Sequence, residues 1–373
     1  MHTPVTLRGT MAVAGNLVLV AALAAPLAAK AAGEQIATSP AITQAQAARI
    51  QAFWTAERKA AAIPMPLPRV TGSPQPAESA DLMALGEPGR QEGSLPFGFD
   101  AQAGIRAPLP RPQYGTGSTV WYDYPPPSTL YEAPGSNKPF PQMALGKLFF
   151  QDQNGLGYVC SASAVTTNGS WGSGNRQMVV TAGHCCSDGA GNFHQNWVFE
   201  PSYKNGSAPF GSWSAGVARV PTAWHTGGDF SRDLCTLQMY PLDGVDLHDA
   251  VGALGYAWNF PLPQHYHATG WPQAEPFDGS QLYVVSASDA ETDTAQAGDF
   301  PFTHGIGNAM TGGSSGGPWI LAMIPNSHAG NYFNGLNSYK YVNPDRPLEM
   351  FGPYIDDWVV DVLFQQTATN PPL

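Results

Sequence analysis

The chain has 373 residues, 43% of them hydrophobic and only 12% charged, with a formal net charge of −11 from 17 basic and 28 acidic residues. That length allows two or three domains with a sizeable core, and the charge balance lacks the basic excess of a nucleic-acid-binding surface. The 41 glycines and 35 prolines suit a turn-rich β protein of the cell exterior better than a helical cytosolic one.

In chain order, Arg8 is followed by an apolar, alanine-rich stretch from Met11 to Leu27 and by Ala29-Lys30-Ala31. This is the pattern of a cleavable signal peptide over residues 1–31. Asn16 and Pro26 interrupt the run, which argues against a membrane anchor. No later segment approaches the roughly 18 unbroken apolar residues that a membrane span needs.

Residues 32–136 form a second region, a propeptide or spacer. Sixteen of the 35 prolines fall between Pro64 and Pro141, too many for a sheet interior. Before them, Ser39-Pro40 reads as a helix cap with proline in the first turn. Ile42, Ile50, Phe53 and Trp54 give that helix an apolar face as far as about Ala62.

From Met143 onwards the pattern changes to short β-prone runs between turn clusters: Leu148–Phe150, Tyr158–Val165, Met178–Val180, Trp197–Phe199, Leu234–Met239, Leu282–Val285, Trp319–Leu321 and Tyr332–Phe333. Short strands at close spacing predict a barrel or sandwich. At the end of the chain, Ile355, Trp358, Val359, Val362 and Leu363 make a helical stripe, with Pro353, Asp356 and Asp357 at its start.

Three segments carry chemistry. Thr181-Ala182-Gly183-His184-Cys185 ends a predicted strand. Asp229-Phe230-Ser231-Arg232-Asp233-Leu234-Cys235 places two carboxylates before another, and Thr311–Pro318 sets Ser315 among glycines. A histidine base, an acid that orients it and a serine on a turn whose amides converge are the parts of nucleophilic acyl transfer. Asp233 is preferred over Asp229 as the acid because it abuts the strand. Gly313-Ser314-Ser315-Gly316-Gly317 also fits G-x-S-x-G. In α/β-hydrolase esterases, however, the serine precedes acid and histidine, and here it comes last. The cysteines are Cys160, Cys185, Cys186 and Cys235. Four cysteines in an exported chain favour disulfides, with three pairings open. A metal site from His184, Cys185, Cys186 and Cys235 is the weaker alternative, because adjacent cysteines do not give zinc-knuckle spacing.

The order His184, Asp233, Ser315, in the contexts TAGHC, RDLCTLQM and GGSSGGP, resembles trypsin-like serine peptidases of the chymotrypsin fold. Tyr158–Ser163, Pro201–Ser207 and Pro276–Gly279 resemble the secreted bacterial and fungal branch related to glutamyl endopeptidases. The resemblance spans roughly residues 140 to 365.

The resemblance implies an all-β fold of two perpendicular six-stranded antiparallel β-barrels, over 137–250 and 251–355, with a C-terminal α-helix and tail over 356–373. It implies a secreted (extracellular or periplasmic) serine endopeptidase that works through an acyl-enzyme, as a monomer acting on protein or peptide substrates without cofactor or metal. A catalytically inactive peptide-binding homologue and a serine esterase are the alternatives. His184, Asp233 and Ser315 would be catalytic, with the oxyanion hole formed by the amides of Gly313 and Ser315. Ser338 would hydrogen-bond the triad aspartate, and the strand Asn337, Ser338, Tyr339, Lys340 would line the substrate channel. Ala309 would sit at the base of the specificity pocket, where trypsin carries an acid, so a preference for Lys or Arg is not implied. His304 and Lys340 could favour an acidic side chain. Cys160 and Cys185 match a family disulfide, which leaves Cys186 to pair with Cys235. Ser314 replaces the aspartate that receives a new N-terminal amine in the animal enzymes, so any latency would come from residues 32–136 covering the cleft.

Overall fold

The predicted strands close into a ring. The computed structural model describes residues 35–79, 82, 85–99, 128–129, 139–296, 301–342 and 348–370; the signal-peptide reading lies outside the described residues. Strands β1 (Leu145–Gln151), β2 (Gly157–Ala164), β3 (Met178–Thr181), β4 (Gln195–Pro201), β5 (Trp213–Pro221) and β6 (Cys235–Met239) pair antiparallel in the order β5-β4-β1-β2-β3-β6, and β6 returns to β5. The strands read as unbroken apolar runs because both of their faces are covered. Leu148, Phe150, Cys160 and Phe199 belong to the main core. Phe149, Val159 and Val198 point the other way, beneath Trp54 and Ala62. Burial on both faces removes the polar alternation expected of a half-solvated strand.

The main path of the second sheet runs through β7 (Gly255–Trp258), β8 (His265–Gly270), β9 (Tyr283–Asp293), β10 (Thr303–Gly307), β11 (Pro318–Leu321), β12 (Tyr332–Leu336) and β13 (Glu349–Pro353), in the order β13-β10-β9-β8-β11-β12-β7, with Gly89–Gln91 added beside β7 and Ser128–Thr129 beside β9. Strand β7 joins β12 in parallel; the other pairs within this path are antiparallel. Beyond β12 the chain reaches back to β13: Ser338 N and Tyr339 N donate to Phe351 O at 3.0 and 3.2 Å, and Phe351 N donates to Tyr339 O at 2.9 Å. Trp319 sits at 0% exposure beneath this curl, with Tyr266 and His304 around it.

The N-terminal region is more ordered in its described part than its proline content suggests. Helices α1 (Gln44–Phe53) and α2 (Ala56–Ala61) lie against the first barrel. The predicted cap at Ser39 is incorrect. Thr43 caps α1 in a capping box with Gln46, while Ser39 exchanges bonds with Ala218, its Oγ accepting from Ala218 N at 2.9 Å. The apolar face is used as expected. Trp54 is buried against Phe149, and its Nε1 donates to Asn196 O at 2.7 Å.

Two short helices interrupt the first barrel's connections, α3 (Thr222–Gly227) and α4 (Leu247–Val251). At the C-terminus a π-helical turn, Val359–Phe364, runs into α5 (Gln365–Thr369). The wider turn places residues five apart on one face, so Val359 and Phe364 are buried together while Val362 is only half-buried. No helix among the described residues is long and apolar enough to cross a membrane.

Candidate active site

Strand β3 delivers His184 to the rim of the first barrel, and a 3₁₀ turn, Phe230–Arg232, sets Asp233 beside it just before β6. The pair is locked twice. His184 N donates to Asp233 Oδ1 at 2.7 Å, and His184 Nδ1 lies 2.8 Å from Asp233 Oδ2. A carboxylate only accepts, so Nδ1 carries the proton and Nε2 of the neutral ring is left as a base. Ser338 Oγ donates to the same Oδ2 at 2.5 Å. Asp233 is thus fully buried but held by three donors, as a charge inside a protein must be. Asp229 does not reach the imidazole; its Oδ1 caps the turn through Ser231 N and Oγ at 2.9 and 2.7 Å.

Asp233 is also anchored from behind. Arg232 forms a buried fork with Asp356, Nη2 to Oδ2 at 2.8 Å and Nη1 to Oδ1 at 3.3 Å, and its guanidinium lies over Trp358. Asp356 Oδ1 in turn accepts from Val359 N at 3.1 Å. The C-terminal helix is thereby tied to the turn that aims Asp233. Trp224 of α3, which no sequence signal marks, packs edge-on to His184 with ring centroids 6.1 Å apart.

Ser315 comes from the second sheet, on the loop before β11. Gly313 has φ +92°, and a Cβ there would lie 2.9 Å from Trp271 O; Gly316 has φ +77°, and its Cβ would lie 2.1 Å from Thr181 Oγ1. Only glycine fits both places. The loop is pinned from both barrels. Ser161 of β2 donates through Oγ to Gly313 O at 3.0 Å and through its amide to Ser315 O at 2.8 Å. Asn337 Nδ2 donates to Ser314 O and to Thr269 O, each at 3.1 Å. Ser314 Oγ bonds back to Thr311 O at 2.8 Å, so its hydroxyl serves the loop locally. Ser315 Oγ and His184 Nε2 are both buried, and neither makes a hydrogen bond to a protein partner, as happens in sites that tighten only on bound substrate.

The strand expected to line a channel is used differently along its length. Asn337 is fully buried, and its Oδ1 accepts from Asn308 Nδ2 at 3.0 Å and Trp319 Nε1 at 2.8 Å. Tyr339 is also fully buried, with its hydroxyl on Asp293 Oδ2 at 2.6 Å. These two side chains are held by internal partners, as buried polar groups must be. Ser338 turns to Asp233. Lys340 Nζ donates to Asn308 O at 2.6 Å, one residue before Ala309; burial, with Arg69 nearby, lowers its pKa to about 7 against an opposing pull from Glu349. His304 is paired with Asp289, Nδ1 to Oδ1 at 2.6 Å, while its buried Nε2 makes no hydrogen bond.

Both cysteine pairs are bonded, Cys160–Cys185 and Cys186–Cys235. They bind β2 and β6 to the two residues that directly follow His184. Cys160, His184 and Cys185 form a cluster with metal-ligand spacing, but disulfide sulfurs are not the thiolates a zinc site requires. The segments 201–207 and 276–279 meet where the barrels join. Asn205 N donates to Ser280 O at 2.7 Å, and buried Lys147 reaches Gly279 O at 2.9 Å and Gln273 Oε1 at 2.8 Å.

No protein-family model matches the chain, and no curated protein does. Two solved structures are similar over 61% of this chain. The protease Anisep from Arthrobacter nicotinovorans is 36% identical over 96% of its own length, with a TM-score of 0.53. The thermostable serine protease AL20 from an extremophilic microorganism is 34% identical over 97% of its length, also with a TM-score of 0.53. With that identity over nearly the whole of both relatives, on a closed six-stranded barrel joined to a second sheet, the chain belongs to the chymotrypsin-fold serine peptidases.

Proposed function

We propose that this chain is a secreted serine endopeptidase that cleaves peptide bonds through an acyl-enzyme, with Ser315 as nucleophile, His184 as base and Asp233 as the orienting acid. The observation that carries the reading is the double lock of Asp233 on His184, backbone and ring together, alongside a serine on a glycine loop pinned by Ser161 and Asn337. Ser315 Oγ attacks the carbonyl carbon of the substrate while His184 Nε2 takes its proton. The resulting oxyanion is met by the amides of Gly313 and Ser315; one such donor is worth roughly 3–4 kcal/mol of barrier. The imidazolium, steadied by Asp233, then protonates the departing amine and the C–N bond breaks. A water repeats the sequence in reverse roles and releases the acid, so no cofactor is required.

Two disulfides suit an oxidising compartment, which supports export. Ala309 places no acid at the base of the pocket, and a preference for Lys or Arg is therefore not part of the proposal. Hydrolysis of a peptide amide and of the matching ester by the secreted, processed protein tests the reading, with Ser315→Ala alongside. Amide and ester turnover that both vanish in the variant are expected. Ester cleavage without amide cleavage would indicate an esterase, and no turnover in either protein would indicate an inactive peptide-binding homologue.

A further inference from the structure

The chain's own residues 62–70 run from the first barrel to the second sheet beside the loop that carries Ser315. Ile63 and Pro64 pair in parallel with Tyr158 and Val159 of β2, and Met65 N donates to Val159 O at 2.9 Å. Met65 O then accepts from Gly313 N at 3.1 Å, the amide assigned above to the oxyanion hole. Gly312 leaves room for the same carbonyl, since a Cβ there would lie 2.9 Å from it. Gln273 Nε2 holds Ala62 O at 2.9 Å. Leu67 is 7% exposed and joins the second sheet's core cluster with Met310, Tyr266 and Trp319. Beyond it, Lys340 N donates to Pro68 O at 3.0 Å, Arg69 and Val70 pair in parallel with Lys340 and Tyr341, and Val342 N donates to Val70 O at 2.8 Å. The segment thus passes from the first barrel to the second sheet, touching the serine loop at Gly312 and Gly313, two residues before a serine that is 0% exposed.

The sequence of the segment suits it to occupy the active-site cleft without being consumed. Ile63-Pro64-Met65-Pro66-Leu67-Pro68 has proline at every second position. Such a chain is stiff and extended before it binds, so little conformational entropy is lost on docking. The bond after the carbonyl at Gly313 is Met65–Pro66, an imide whose nitrogen is closed into a ring. That nitrogen must leave as a secondary amine, with ring Cδ where an ordinary peptide carries hydrogen. The ends are clamped as well. Upstream, Trp54 packs on Phe149 and Lys59 pairs with Glu200. Downstream, Gln75 N donates to Asp293 Oδ1 at 3.0 Å and Ala77 N to Thr292 Oγ1 at 2.8 Å.

We infer that residues 62–70 are an inhibitory strap, a proline-alternating peptide that fills the cleft, occupies the oxyanion amide through Met65 O and resists cleavage. The inference rests on the peptidase reading above. It gives part of residues 32–136 a definite task, and it defines the cleft as a surface that accepts an x-Pro-x-Pro peptide.

The test measures how fast a fluorophosphonate labels Ser315 in the uncleaved full chain, for the wild type and for Met65→Asp/Leu67→Asp. Introducing charge at two contacts in the cleft should raise the labelling rate roughly 100-fold. A synthetic peptide of residues 62–77, added in excess, should slow the variant again and be recovered intact. Leu67→Ala, which removes less and spares the fold more, should raise the rate about tenfold. Wild-type labelling as fast as the variants, or a peptide cut at Met65–Pro66, would overturn the strap while leaving the nucleophile in place. No labelling in any of the proteins would overturn the peptidase reading and the strap with it.

Discussion

The two halves of the site are held by different means. The half that carries His184 and Asp233 is stapled by Cys160–Cys185 and Cys186–Cys235, which tie the turn just after His184 to β2 and to β6. The half that carries Ser315 contains no cysteine, and its loop is shaped by hydrogen bonds from Ser161, Asn337 and the glycine backbone. Covalent bonds thus secure the place where a buried carboxylate and an imidazole must stay paired. Directional polar contacts secure the place where backbone amides must point. Because Ser161 belongs to the first barrel, the serine loop is complete only when both sheets have folded and met.

Substitutions on either side should separate chemistry from scaffold. The largest effect is expected from Ser315→Ala, His184→Ala and Asp233→Asn, each lowering kcat by roughly 10⁴, with double variants little worse than single ones. Asp229→Asn, at a turn cap and not at the imidazole, should stay within about tenfold of wild type. If Asp229→Asn were crippling and Asp233→Asn mild in a kcat comparison, the assignment of the acid would be wrong.

Next comes the covalent half. The bridges close loops of 25 and 49 residues, and removing either by paired Cys→Ser substitution should cost about 3–4 kcal/mol of unfolding free energy. Urea midpoints at constant m-value measure this. A loss below about 1 kcal/mol would mean that packing alone fixes the histidine turn. On the other side, Asn337→Ala leaves Trp319 Nε1 and Asn308 Nδ2 without their buried acceptor and should cost roughly 2–3 kcal/mol. Because the variant also frees Ser314 O, kcat should fall while KM changes little. An unchanged kcat in the folded variant would remove Asn337 from the description of the loop.

The smallest effect is on acid stability. Burial, aided by Arg176, holds His248 down to about 4 against the pull of Met178 O and Asp249. An unfolded histidine titrates near ~6.5. The folded form therefore binds fewer protons than the unfolded form between these values, so this contribution is intact above pH ~6.5 and is lost as pH falls to about 4. His194 in the same barrel and His267 in the second sheet are also held at about 4 by burial, so both halves contribute to acid sensitivity despite the disulfides of the first. His248→Gln should flatten the decline by roughly 2–3 kcal/mol over that window. Parallel pH–stability curves for variant and wild type would show that His248 takes no part.

The barrel strands and the three chemical motifs were legible because each leaves a local trace: an apolar run, a glycine cluster, or a histidine or aspartate beside a strand. The preference for Asp233 over Asp229 needed only its position next to the strand. What escaped was non-local. Ser161 meets Gly313 across a separation of 152 residues, and a serine in an apolar strand carries no mark of that partner. The same holds for Trp224, brought to His184 by a short helix, and for the docking of residues 62–77, where the proline content marked a propeptide or spacer but not which residues dock. Ser39 shows the converse failure. Its Ser-Pro pattern is a good helix start in isolation, but a barrel strand offers its amide a better bond.

The most direct test of the central claim is the site of covalent labelling. The Met65→Asp/Leu67→Asp chain and the secreted, processed protein would each be treated with a biotinylated fluorophosphonate, digested and mapped by mass spectrometry, with His184→Ala treated in parallel. One equivalent of label on Ser315, with the labelling rate falling by about 10³–10⁴ in His184→Ala, is the expected result. Label on another residue, or labelling of Ser315 at the same rate without His184, would contradict an activated serine at this site.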